Sequence, residues 1–261
     1  MTKNNSLLIP FIIIINSCAT VETSNLSESL TVVPEVNENQ KFVDYLDSDW
    51  EQTLINNPLF ATYTGDKRFN DKINPNTIDQ FNKVRSQDLE SLKKLMAISE
   101  DKLDDDNKLN YKLKKFDLES DLNLSQFPIY YLRLNQRGGI QSFYETGNRL
   151  VYQSKKDYED WLNRLSQFSE NIYTFIEINK EGLEKGYTQP KLVTRGVISQ
   201  IDAIINSDIE LNPYLKVFLE ANEEYFSKDE KEELINDAKQ LIQKEINPAY
   251  ESLNNFLKNQ Y

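Results

Sequence analysis

The sequence predicts an all-α fold, an irregular multi-helix array of about eight helices. Three observations predict it. From Lys41 to Tyr261 the apolar residues recur at helical spacing. The 261-residue chain holds only 7 Gly and 8 Pro, too few for a turn-rich β architecture. No period-2 run longer than a few residues stands out, and the helices share no fixed repeat.

The N-terminus precedes the fold. Residues 1–17 read as a signal peptide, with Lys3 ahead of the apolar run Leu7 to Ile15, which only Pro10 interrupts. The run is too short to span a bilayer, which takes about 20 apolar residues. It ends in Ile15-Asn16-Ser17-Cys18, and this resembles a bacterial lipoprotein signal. Cys18, the only cysteine, is the expected lipid-attachment site and mature N-terminus; a buried structural thiol is the alternative. Ala19 behind it resembles the outer-membrane sorting preference. The expected location is the cell envelope, on the periplasmic side of the outer membrane. Residues 18–40, rich in Thr, Ser, Glu and Asn, read as a flexible tether, and the helical domain as 41–261.

The elements follow in order. Phe42, Leu46, Trp50 and Leu54 recur every four residues as one face of a first helix, which Asn57-Pro58 stops. Tyr63 to Asn76 is a loop. A second helix starts at a Thr77 cap and carries Ile78, Phe81, Leu89, Leu92, Leu95 and Met96 as its apolar stripe. Asp104 to Asp106 separates it from a helix holding Leu109, Leu113 and Phe116. The aromatic-rich segment Phe127 to Tyr144 is the least regular part. The clearest helix runs from about Lys155 to Lys185, striped by Tyr158, Trp161, Leu162, Leu165, Phe168, Ile172, Phe175 and Ile176, with Gly182 and Gly186 marking its end. Pro190 opens another helix, with Val193, Val197, Ile201, Ile204 and Ile205 inward. Asn212-Pro213 restarts the chain into Tyr214, Val217, Phe218 and Tyr225. Ser227 with Glu230 forms a capping box for the last helix, which Pro248 should kink.

Composition removes several chemistries. The chain contains no histidine. It therefore holds no Ser-His-Asp triad, no Cys-His pair and no His-Glu zinc helix. The formal net charge of −12 repels phosphate backbones, so no nucleic-acid partner is expected. Carboxylates cluster at Asp44, Asp47, Asp49 and Glu51, at Asp104 to Asp106, and at Glu223 and Glu224. They read as solvated acidic faces, and Asp101 to Asp106 lacks the Gly and closing Glu of an EF-hand. Gly138-Gly139 reads as a turn rather than a phosphate cradle. Lys191 and Arg195 lie near a helix start, where an anion could bind, but read as solvated. Tyr130, Tyr131, Tyr144 and Tyr152 could line a groove for sugars or peptides, against the plainer reading that they fill gaps between helices. A Ser-Lys dyad has no distinguishing spacing. No catalytic and no metal-binding residue is assigned.

Several segments together resemble the N-terminal half of the bacterial domain-of-unknown-function 885 family (DUF885). These are Trp50 with Asn57-Pro58-Leu59-Phe60-Ala61-Thr62 and Gly65-Asp66-Lys67-Arg68-Phe69-Asn70-Asp71; Asn110-Tyr111-Lys112-Leu113; Tyr158 to Leu165, with Asn163-Arg164-Leu165 in register; Glu181 to Lys191; and Asn247-Pro248-Ala249-Tyr250 with Leu253, Phe256 and Leu257. The resemblance extends over about Lys41 to Tyr261. It implies a largely helical, gluzincin-like zinc-metallopeptidase fold, often exported and lipid-anchored. The family's metal site is expected on a His-Glu helix ending in Pro-Gly-His, in its second half, and no residue here matches that motif. Zinc is therefore expected only in full-length relatives, with no cofactor in this chain. The expectation is a truncated or split product, or a retained non-catalytic half, inactive alone. One wall of a substrate channel would then be open to a chain carrying the zinc half or to a second copy. No residue of such a wall is singled out. The competing expectation is a non-enzymatic helical periplasmic lipoprotein that binds a peptide or a protein partner.

Overall fold

Side-chain caps set where the helices begin. The structure, a computed structural model, describes residues 37–261. Asn37 Oδ1 accepts from Asn39 N at 2.9 Å and opens α1 (Glu38–Asn56). The helix thus starts inside the stretch read as tether. Cys18 and the lipoprotein signal lie outside the described residues. Thr77 does cap its helix: Oγ1 accepts from Gln80 N at 3.0 Å at the start of α3 (Ile78–Met96). Asp104 caps α4 (Asp105–Leu124), and Ser227 with Glu230 forms the capping box of α10 (Lys228–Leu241).

Among the described residues there are eleven α-helical segments and no strand. Short segments account for the excess over eight. Pro58 ends α1 but also starts α2 (Pro58–Tyr63), because its missing N–H costs nothing in a first turn. The irregular segment yields α5 (Tyr144–Arg149), and the chain after Pro213 yields α9 (Lys216–Leu219), with 3₁₀ turns between.

The Lys155 to Lys185 helix is two helices, α6 (Lys155–Ser166) and α7 (Phe168–Glu184). Gln167 explains the break. Its Nε2 donates to Asn163 O at 2.8 Å, the carbonyl that its own backbone N–H would take in a continuous helix. The backbone N–H turns to Arg164 O instead, at 3.3 Å. Gly186, at φ 81°, ends α7: Tyr187 N donates to Gly182 O and Gly186 N to Leu183 O, a Schellman motif. Gly182 is no terminator. It lies within α7, where a Cβ would stand 3.0 Å from the Tyr131 Cβ.

Pro190 lies just ahead of α8 (Lys191–Ile205), with Val197, Ile201 and Ile204 buried. The kink expected at Pro248 is a π-helical turn, Ile242–Ile246, between α10 and α11 (Asn247–Asn259). Proline cannot donate back along the helix, and the wider turn absorbs that loss.

Two buried clusters hold the helices. The larger joins α6, α7, α8, α10 and α11 through residues such as Trp161, Ile172, Ile201, Leu234 and Leu253. The smaller joins α1, α3 and α4 through Phe42, Tyr45, Leu95, Tyr111 and Leu118. This smaller cluster corrects the apolar stripes. On α4, Leu109, Leu113 and Phe116 are exposed, while Tyr111 packs on Phe42 at 6.0 Å between ring centroids. Leu89 and Met96 of α3 and Trp50 of α1 are exposed as well; Trp50 meets Phe60 edge-on at 5.6 Å. These helices are apolar on more than one side, so periodicity does not select the buried side. No helix among the described residues is long and apolar enough to cross a membrane.

Candidate ligand-binding site

Arg164, Gln167 and Asn171 stand three and four residues apart, so they share one edge of α6 and α7. All three reach the loop between α2 and α3. Arg164 Nε donates to Lys72 O at 2.6 Å, and Nη2 donates to Phe69 O at 2.8 Å and Thr62 Oγ1 at 2.7 Å. Gln167 Nε2 donates to Asp71 O at 2.6 Å. Asn171 Nδ2 donates to Asn74 O at 2.9 Å, and Asn171 Oδ1 accepts from Asn76 N at 3.3 Å. Among the described residues the carbonyls of Asp71, Lys72 and Asn74 accept no backbone bond, so these side chains satisfy them. Asn74 ties the loop to the α1–α2 junction, donating through Nδ2 to Asn56 O at 3.0 Å.

This loop, α2, α7 and the segment 132–143 line an open cavity of about 730 Å³. Its floor is apolar: Ile73, Phe143, Phe168 and Phe175, with Phe143 and Phe168 stacked at 4.4 Å. Its polar lining is five asparagines (Asn57, Asn74, Asn76, Asn135 and Asn171), two arginines, Arg133 and Arg164, and Tyr63; no Asp, Glu or Lys lines it. The far wall is held from α11. Tyr250 OH donates to Ile140 O at 2.8 Å and shares a 2.6 Å bond with Tyr214 OH.

The arginines differ in setting. Arg164 is fully buried, and burial pushes its guanidinium down to about 10, still charged at neutral pH. Arg133 is exposed at the mouth, where Nη1 donates to Asn76 Oδ1 at 2.5 Å and the guanidinium lies 5.3 Å from the Phe81 ring centroid. Two helical turns before Arg164, Asp157 is also buried, but it is paired. It accepts from Lys67 Nζ at 2.9 Å, Gln153 N at 2.9 Å and Ser154 Oγ at 3.0 Å. Burial works against its charge, but these donors outweigh that and hold its carboxyl below the usual carboxylate range.

Of the sequence candidates, Gly138 and Gly139 line the cavity. A Cβ on Gly139 would stand 3.0 Å from Asn135 O, so a larger residue would press on the cavity wall. The four tyrosines do not line it; they fill gaps. Tyr130 stacks on Phe81, Tyr131 on Tyr187 and Tyr152 on Tyr158, and Tyr144 meets Tyr214 edge-on. Lys191 and Arg195 are exposed on α8. Asp44 and Asp47 are exposed, while Asp49 accepts from Ser91 Oγ at 2.6 Å. Asp104 caps α4, with Asp105 and Asp106 in its first turn, and Glu223 pairs with Lys231 at 3.4 Å.

Among the described residues no three or more His, Cys, Asp or Glu side chains form a group that could hold a metal ion. The zinc implied by the resemblance therefore finds no ligand set in them. Sequence reasoning missed Arg164 and the asparagine rim. One signal was available: Arg164 falls on the apolar stripe, three residues after Trp161 and beside Leu165.

A comparison with curated proteins finds no match. Among solved structures, a protein from Colwellia psychrerythraea described as a lipoprotein shares the fold at a TM-score of 0.71 with 17% sequence identity. The alignment covers 85% of this chain and 41% of that one, so this chain spans less than half its neighbour's length. The model of the family described as bacterial protein of unknown function, DUF885, matches residues 58–261. The chain belongs to the DUF885 family.

Proposed function

We propose that this chain is an exported lipoprotein whose helical unit binds peptides, as the non-catalytic, substrate-side half of a zinc-peptidase-like assembly. The observation that carries this reading is the cavity of about 730 Å³ with aromatic floor and amide-rich rim. Its volume falls within the range of small-ligand sites. Asparagine side chains offer the same donor and acceptor pair as a peptide bond, so an amide rim suits an extended backbone. Aromatic rings beneath suit apolar side chains.

The chemistry of cleavage is assigned to residues outside these 261, on a further chain. Here the helical unit binds and orients. Cys18 supplies the membrane anchor, and the acidic surface is open to the periplasmic face.

Calorimetric titration of the purified chain with a mixture of Ala-Ala-Xaa tripeptides tests the binding role. Saturable heat is expected, with no cleavage of the peptides by the chain alone. Absence of binding rejects the peptide reading. Stoichiometric zinc with chelator-sensitive cleavage rejects the non-catalytic one.

A further inference from the structure

We propose that the cavity recognises a free carboxylate, the C-terminal carboxylate of a short peptide, with Arg164 and Arg133 as its anchors. The inference rests on the peptide-binding reading and adds which end of the peptide is held.

The first observation is Arg164 itself. Its Nε and Nη2 hydrogens staple the loop through three bonds to neutral oxygens. Nη1 is buried and has no partner. Among the described residues, the other buried side-chain atoms without a partner are all amide oxygens, so Nη1 is the one charged donor in that state. The staple accounts for Nε and Nη2 but leaves Nη1 unexplained. A buried charged donor without an acceptor is costly, and an anionic oxygen would offset that cost.

The second observation is the balance of donors. Asn76 and Asn135 commit their Oδ1 atoms within the fold, to Arg133 Nη1 and to Arg137 N. Among the described residues no bond engages their Nδ2 groups. Arg133 spends only part of its fork on Asn76. The free polar side-chain groups of Arg133, Arg164, Asn76 and Asn135 are thus donors.

The third observation is charge. Two guanidiniums and no carboxylate line the cavity, in a chain of net charge −12; Asp71 and Asp160 act on Arg164 from outside the lining. A surplus of donors and of positive charge selects an acceptor-only, negative group, and a planar carboxylate matches the guanidinium fork. The aromatic floor and the amides favour a peptide as its source over a bare small acid.

The test compares Ala-Ala-Phe as free acid with Ala-Ala-Phe-amide by calorimetry on the full chain. The acid should bind at least about tenfold more tightly, the loss expected for one charged hydrogen bond. Arg133→Gln is an exposed change and should shrink that ratio. Arg164→Lys keeps the charge but loses Nη1 and should also shrink it, with the fold checked by circular dichroism. Equal binding of acid and amide overturns the carboxylate anchor and leaves peptide binding standing. Binding of neither peptide overturns both. Acetate competing at the tripeptide's own affinity overturns the peptide as source.

Discussion

Asp157 and Arg164 sit on the same buried face of α6, and their partners set different roles. Asp157 is satisfied by an ammonium, a backbone N–H and a hydroxyl. Asp157→Asn should therefore destabilise the protein by about 1–3 kcal/mol at neutral pH. Its folded-state pKa lies below the unfolded value of about 4. The stability it contributes is present above that unfolded value and is lost as pH falls through the lower folded one. Urea denaturation at pH 7 and pH 3 should show a smaller penalty for Asp157→Asn at the acid pH. An equal penalty at both would mean that the charge contributes nothing. Arg164 is readable in the sequence only as an exception, a cation within an apolar stripe. Which carbonyls it meets was not readable, because Lys72 lies 92 residues away.

At the scale of elements, local chemistry and long-range packing divide the work. Helix starts are local: the Thr77 cap and the Ser227 box involve residues three apart, and the sequence reveals both. The end of α7 is local as well, since Gly186 takes a conformation that disfavours side chains. Buried faces are not local on α3 and α4. Leu113 continues the visible stripe of α4, yet it is exposed and Tyr111 is buried. Leu113→Glu should leave the melting temperature unchanged within the range of ordinary surface substitutions, about 0.5 kcal/mol. Tyr111→Glu should be severely destabilising by the same thermal measurement. Loss of folding in Leu113→Glu would show that the stripe is covered. The break at Gln167 was equally hidden. Gln167 Nε2 takes the Asn163 carbonyl while also meeting Asp71 O, 96 residues away, and no helix signal in the sequence encodes that second contact.

For the whole molecule, the lipoprotein reading of Cys18 and the binding reading of the cavity are separate proposals with separate tests. Cys18→Ser should move the protein from the membrane fraction to the soluble fraction of cell lysates; a mutant that stays with the membrane rejects the anchor. Peptide affinity should be the same in both forms, because the cavity is built from the helical unit alone. The sequence by itself determined the helical class, most helix starts, the family and the absence of histidine, since each is written in composition or in residues a few positions apart. Only the tertiary structure decided which faces are buried, where the long helix breaks and that the loop of residues 64–76 closes over Arg164 into a cavity. Those outcomes rest on contacts between residues far apart in the chain, for which apolar periodicity carries no signal.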